Sequence, residues 1–301
     1  MAGATFSFID RYERFIRVGR DHVPAYICDD DPPILFDPGV SAFGPLYYRR
    51  LQETIGERAD RLLILLTHSH FDHCGATPYL LRKFPHARVG ASVIAAEVLK
   101  KASAIDLIRR LNAEYEEEMA DELKGEDTSF TGLQVDLPLT DGDSFECSKG
   151  RSLQVIETPG HTRDCLSYIF PDSGVLVAGE AAGVPEGDFI HSTYLASYES
   201  YMASLEKLRT IKAEALCIAH VGILVGSRII QDYLAESIAA AETYRQKIER
   251  HLEKFNWDKD KVVAEMTAEE YDSTPDHIIK RTPFMINLQA KVNAVAKVLG
   301  R

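Results

Sequence analysis

The chain has no apolar run approaching the roughly 20 residues that a membrane-spanning helix requires, so neither a spanning helix nor a membrane partner is expected. Its first residues, Met1-Ala2-Gly3-Ala4-Thr5, lack the basic and apolar regions of a secretory leader, which points to a cytoplasmic protein. Basic charge is in short supply: 34 Lys and Arg against 46 Asp and Glu give a net charge of −12. Nucleic acid is not an expected partner, because binding to phosphates needs a basic face. Cysteine is scarce as well. Cys28, Cys74, Cys147, Cys165 and Cys217 form no C-x-x-C pair, and most fall in apolar, strand-like runs. They read as reduced, buried thiols rather than a disulfide framework. The sequence also lacks low-complexity segments and short repeats.

What is present is an ordinary globular composition, 45% hydrophobic and 27% charged over 301 residues. That is enough for one large domain or a domain with an extension. Strand patterns occur at residues 14–18, 25–28, 34–36, 62–66 and 87–90. A second batch follows at 135–139, 144–147, 153–157, 166–170, 175–178 and 215–219. Helical patterns occupy 47–55, 79–84, 199–208 and a longer stretch from about 92 to 123, where Ile108, Leu111, Tyr115, Met119 and Leu123 recur at spacings of three and four. After Ser227 the pattern is helical throughout: a long amphipathic segment, then 258–271 and 276–299, with Pro283 expected to break or kink the last. Two batches of strands flanked by helices predict an α+β protein with two sheets. Residues 1–227 form the expected main domain, with 92–123 as a helical insertion. Residues 228–301 form a helical extension, read as a lid, a dimerisation element or both.

The most informative segment is Thr67-His68-Ser69-His70-Phe71-Asp72-His73. Three imidazoles and a carboxylate follow directly on the apolar run 62–66, so a buried strand ends in a loop of metal-ligating groups. Strand ends of this kind are where active-site residues usually sit on a rigid scaffold. Imidazole with carboxylate suits zinc, iron or manganese. His68 and His70, two apart on an extended chain, point the same way and can grip one ion. Asp72 and His73, in the following turn, can reach a second. With 10 His in the chain, three at fixed positions would arise by accident in roughly one chain in a hundred, which makes a merely solvated loop the weaker account.

Three more strand ends carry the same residue types. His161 in Thr158-Pro159-Gly160-His161 follows strand 153–157, Glu180 follows 175–178, and His220 follows 215–219. One such histidine alone is more often an ordinary loop residue. Four strand ends together make a two-metal site the better account.

The motifs T-H-S-H-F-D-H, P-G-H-T, G-E and the late His220 resemble those of the metallo-β-lactamase superfamily, over about residues 16–226. The resemblance implies an αββα sandwich with two divalent metal ions at one end of two facing sheets. It implies that His68, His70 and His161 hold one ion, and that Asp72, His73 and His220 hold the other. Glu180 stands where the family places a bridging aspartate. Being one methylene longer, it is expected to lengthen, tilt or detach one arm of the bridge. Asp37, in an early strand-D-x-G pattern, is expected to support the histidine loop. The histidine loop with its C-G-A-T-P-Y-L continuation, the R-R-L-N helix, L-Q-V-I-E-T-P-G-H and the helical tail are similar to the aminobenzoylacetyl-coenzyme A thioesterases of bacterial quinolone signalling. That likeness implies a dinuclear iron centre covered by the C-terminal helices, in a homodimer.

The expected activity is hydrolysis of a small acyl thioester or ester, with hydroxide drawn from a metal-bound water of lowered pKa and oriented by Asp72. His191, Tyr194, Arg281, Phe284 and Met285 are the candidate substrate-binding residues, although each alone is more simply read as helix packing or loop surface. The rival readings are a lactonase or glyoxalase II-like hydrolase, a single-iron persulfide dioxygenase if Glu180 spoils the second site, and a non-catalytic effector whose metals only hold the fold. Seven ligands exceed the four of a closed structural zinc site, which ranks catalysis first.

Overall fold

The computed structural model describes residues 6–301 except 21, 148–149, 188 and 274–279. The chain opens with two short strands, β1 (Phe8–Ile9) and β2 (Arg11–Tyr12), one for each of two seven-stranded sheets. The first sheet continues from β2 in chain order through β3 (Phe15–Arg20), β4 (Val23–Cys28), β5 (Ile34–Phe36), β6 (Leu63–Leu65), β7 (Arg88–Ser92) and β8 (Leu137–Leu139). Its pairs are antiparallel as far as β5 and parallel from β5 to β8. The second sheet uses β9 (Ser144–Glu146), β10 (Ser152–Glu157), β11 (Leu166–Phe170), β12 (Val175–Gly179), β15 (Ala215–Ile218) and β16 (Ile223–Val225), in the order β1-β16-β15-β12-β11-β10-β9.

Alternation along each strand decides which layer a side chain enters. In β5, Ile34 and Phe36 pack between the sheets and Leu35 packs outward; in β12, Val175 and Val177 pack between the sheets and Leu176 and Ala178 outward. Both faces are covered, so these strands read as continuous apolar runs rather than alternating ones. The inter-sheet layer holds Phe15, Phe36, Leu65, Tyr168 and Phe170, with Phe15 and Phe170 edge to face at 4.8 Å.

Helices cover both outer faces, giving the αββα sandwich. The first sheet packs against α1 (Gly44–Ile55), α3 (Thr77–Lys83), α4 (Val93–Val98) and α5 (Ala102–Glu118), with α2 (Phe71–Cys74) in the histidine loop and α6 (Ala120–Leu123) after α5. The second packs against α7 (Tyr198–Arg209), α8 (Ser227–Lys254), α9 (Lys259–Glu270) and α10 (Arg281–Val298). Ile230, Leu234 and Leu252 of α8, Val262 and Met266 of α9, and Leu288, Val292 and Val295 of α10 share one apolar layer with α7. Each such side chain stabilises the layer by about 1.5–3 kcal/mol when fully buried.

Three local expectations change. The stretch 92–123 is not one helix: Ser92 ends β7, its hydroxyl accepts from Ala95 N at 3.0 Å to cap α4, and residues 99–101 separate α4 from α5. Two further short strands, β13 (Val184–Glu186) and β14 (Phe189–His191), pair antiparallel where no strand was expected. Pro283 does not kink the last helix; it lies in the first turn of α10, where its missing N–H has no intrahelical partner to lose. The expected start of that helix at residue 276 lies outside the described residues. Among the described residues, no helix is long and apolar enough to cross a membrane.

Candidate metal centre

Topology alone gathers the strand ends. Strands β10 and β12 both pair antiparallel with β11, and β12 runs parallel to β15, so the C-terminal ends of all three share one edge. His161, Glu180 and His220 follow those ends. In the other sheet β5 and β6 are parallel, which places Asp37 beside the histidine loop.

The donors form two groups, His68, His70 and His161, then Asp72, His73, Glu180 and His220, with the donor atoms of each group within 4.8 Å of one another. In the first, His70 Nδ1 and His161 Nε2 are 3.1 Å apart. His161 Nδ1 donates to the Thr193 carbonyl at 2.6 Å, which leaves the Nε2 lone pair facing the cluster. In the second, Glu180 Oε1 lies 2.9 Å from both His73 Nε2 and His220 Nε2, and Asp72 Oδ2 lies 3.8 Å from His220 Nε2. His220 Nδ1 donates to the His22 carbonyl at 2.6 Å. Glu180 also borders the first group, its Oε1 3.9 Å from His161 Nε2 and its Oε2 3.8 Å from His68 Nδ1.

This donor set fits divalent cations. Two ligands of one tetrahedral ion, each about 2.0–2.2 Å from it, sit about 3.3 Å apart, and the 2.9–3.9 Å separations bracket that spacing. His68 Nε2 and Glu180 Oε2 are buried without a hydrogen-bond partner. Leaving a buried acceptor unsatisfied costs about 1–3 kcal/mol, a cost that a cation at this point removes.

The Metallo-beta-lactamase superfamily model matches residues 18–220. The chain belongs to that superfamily. It is 28% identical over 188 residues to the metallo-beta-lactamase fold-containing protein ST1585 of Sulfurisphaera tokodaii, covering 60% of this chain and 67% of that protein. It is also 28% identical over 149 residues to a hydroxyacylglutathione hydrolase of Bradyrhizobium sp. (strain ORS 278), where it spans 49% of this chain and 43% of that enzyme. The crystal structure of the metallo-beta-lactamase family protein TTHA1429 from Thermus thermophilus superposes with a TM-score of 0.66 at 19% identity, over 95% of this chain and 93% of that one. Members of the superfamily are mostly hydrolases and typically bind divalent metals.

In this superfamily member the histidine loop is tied down from beneath. Asp37 Oδ1 accepts from Thr67 N and its Oδ2 from Thr67 Oγ1, both at 2.7 Å, while the same Oδ2 faces His73 Nδ1 at 3.0 Å. Asp164 Oδ2 accepts from Ser69 N at 2.9 Å. Asp37 and His220 adopt positive φ, +50° and +66°, a region disfavoured for residues with a Cβ and common at functional sites. Burial lowers His161 to about 4, and burial and the neighbouring His73 hold His68 well below its ordinary value. Burial opposes charge on His73 too, yet the carboxylates of Glu180 and Asp37 hold it well above its ordinary value. Glu180 lies well below the usual carboxylate range: burial works against its charge, and His73, His68 and His161 outweigh it. His70, Asp72 and His220 are half-buried and the other four candidate donors buried, so the accessible side is theirs.

The other candidates are dispersed. His191 ends β14 and pairs with Glu186. Tyr194 is wholly buried against Tyr198 and Tyr201. Arg281 pairs with Asp272 at 3.2 Å, Phe284 stacks on Tyr271 at 5.0 Å, and Met285 is exposed beside Arg281. Sequence reasoning missed Thr193 and His22, whose backbone carbonyls orient His161 and His220 and carry no residue-type signal. It also missed Asp164, although a carboxylate three residues after His161 was visible.

Proposed function

We propose that this protein is a metal-dependent hydrolase of small acyl thioesters or esters, acting at a dinuclear centre. The observation that carries the reading is the placing of seven donors in two adjoining groups, with Glu180 bordering both. Cations held there would lower the pKa of a bound water toward neutrality and polarise a carbonyl. The chain's own groups do the rest. Asp72, the accessible carboxylate of the set, accepts a hydrogen bond from the attacking water and turns its lone pair toward the substrate. His161 and His220 are held in one tautomer by carbonyls, so their ring nitrogens stay fixed. A thiolate is a good leaving group, which removes the need for a general acid.

The tail supports closure over the substrate. Lys280, just before α10, pairs with Glu118 of α5 at 2.7 Å and stacks over Tyr115 at 4.4 Å, and Tyr115 in turn packs on Phe71 of the histidine loop at 6.1 Å. The hydroxyacylglutathione hydrolase relatives favour a thioester, and the likeness to aminobenzoylacetyl-coenzyme A thioesterases adds aryl-acyl coenzyme A esters to the substrates worth testing. The test is elemental analysis of protein purified without added metal, followed by a panel of acyl thioesters, esters and lactones. Two ions per chain with thioester hydrolysis is the expected result. One iron per chain with oxygen uptake on glutathione persulfide would replace this reading with a dioxygenase.

A further inference from the structure

Thr193 lies in the segment 192–197 that joins β14 to α7, and it contacts one candidate donor residue of each group. Its carbonyl accepts from His161 Nδ1 at 2.6 Å. Its hydroxyl donates to the Glu180 carbonyl, also at 2.6 Å. The Tyr201 hydroxyl, wholly buried in α7, lies 3.2 Å from Thr193 Oγ1 and accepts from Thr193 N at 3.4 Å. All three polar atoms of the residue are therefore engaged. Ala196 N in turn donates to the His161 carbonyl at 3.1 Å, so the segment grips the His161 loop at a second point.

The Glu180 end is where such a tie matters. Gly179 precedes it at a positive φ of +52°, and Glu180 opens the short 3-10 turn Glu180–Ala182. The Glu180 carbonyl accepts from Gly183 N at 3.1 Å as well as from Thr193, so both its lone pairs are used. From that anchored main chain the carboxylate reaches His73 Nε2 and His220 Nε2 at 2.9 Å each. A glutamate side chain has one more rotatable bond than an aspartate and loses more rotamer freedom when it is fixed. Holding the base of the side chain from a second segment leaves only its own torsions to be ordered.

We propose that the Thr193 hydroxyl is a positioning group: it fixes the base of Glu180 against the segment that holds His161, and so keeps the second donor group in place for its ion. The proposal rests on the two-ion reading of the centre and not on the choice of substrate. The two ties are chemically separable. The carbonyl that holds His161 belongs to the backbone and survives any side-chain substitution, whereas the hydroxyl that holds Glu180 does not.

The test uses full-length protein stripped with a chelator and titrated with Co²⁺ alone, followed by the visible absorption of bound cobalt and by elemental analysis. Thr193→Val replaces the hydroxyl with a methyl group and keeps the branched shape. Thr193→Ser keeps the hydroxyl and loses the methyl. Wild type and Thr193→Ser should bind two ions per chain with the same spectrum. Thr193→Val should bind one ion within about threefold of the wild-type affinity and the other about 10–100-fold more weakly, the usual range for a residue that supports a ligand. A general loosening of the fold would weaken both ions instead, and serine would not rescue it. Equal weakening of both ions, unchanged affinity for both, or serine behaving like valine overturns the proposal. If Thr193→Val does not fold, as judged by circular dichroism, Thr193→Ala, which cannot overpack, replaces it in the same titration. Wild type that binds only one ion overturns the dinuclear reading and this proposal together. Two bound ions without hydrolysis of any thioester or ester overturn the hydrolase reading alone, and the cobalt titration still decides the role of Thr193.

Discussion

Glu180 Oε1 lies 2.9 Å from His73 Nε2, and in the metal-free chain each holds the other in its charged form. The same oxygen is 2.9 Å from His220 Nε2, so one carboxylate organises the second donor group. Glu180→Gln keeps the shape and removes the charge. It is expected to lower metal content per chain and to reduce hydrolysis by roughly 100-fold or more, beyond the usual loss for a residue that only supports a ligand. Glu180→Asp keeps the charge but shortens the reach. Elemental analysis of both variants separates the two effects: metal kept in Glu180→Gln but lost in Glu180→Asp would make reach decisive, the reverse would make charge decisive, and equal loss would show that both are needed.

Asp37 works one layer below. It accepts twice from Thr67 and faces His73, so all its capacity is engaged in placing the histidine loop. Asparagine offers only one acceptor oxygen, and its amide nitrogen would face a donor. Asp37→Asn should therefore weaken metal binding by roughly 10–100-fold, measured by competition with a chromogenic chelator. Unchanged affinity would show that the loop is held without it.

Burial of neutral imidazoles sets a pH dependence in the metal-free protein. His161 has a folded pKa of about 4 against 6.5 for the free side chain. Between those values the unfolded chain binds the extra proton, so stability falls as pH drops from 6.5 toward 4 and rises with pH across that window. The full contribution is about 3 kcal/mol for so buried a group. His68 acts in the same direction. His73 acts oppositely, because its raised pKa gives stability below the ordinary value that is lost as pH rises through the folded one. Urea denaturation of chelator-treated protein across this range gives the slope, and His161→Asn should flatten it.

Much of this was legible in the sequence for a physical reason: the candidate metal donors sit directly after strands buried on both faces. The runs ending before His68, Glu180 and His220 announce themselves as apolar, and polar residues at their ends stand out. The helix break at residues 99–101 was invisible, because neither glycine nor proline marks it. The pairing of β13 with β14 was hidden because Pro185 and Gly187 interrupt any strand pattern there. Strands β1 and β2 are too short to show a period. The contacts that the carbonyls of His22 and Thr193 make with His220 and His161 depend on neighbours far along the chain, and no local pattern encodes them.

Gly160 ties packing to chemistry at a single position. Its φ is +140°, and an added Cβ would fall 2.3 Å from Tyr201 Cα and 2.4 Å from Tyr201 N, both backbone atoms of α7. The Gly160 carbonyl also accepts from the backbone N–H groups of Leu195, Ala196 and Ser197, so the loop and the start of α7 cannot move independently. Gly160→Ala must push α7 away from the loop or carry His161 out of line with His70. Overpacking of this kind costs about 1–3 kcal/mol, and the backbone strain adds to it. A fall in thermal stability together with reduced metal content is expected. Gly56→Ala is the control: Gly56 also has a positive φ, +57°, but nothing lies within 4 Å of its added Cβ. That variant should lose about 1–3 kcal/mol from backbone strain but keep its metal. If both variants lose metal equally, the coupling between Gly160 and His161 is not through α7.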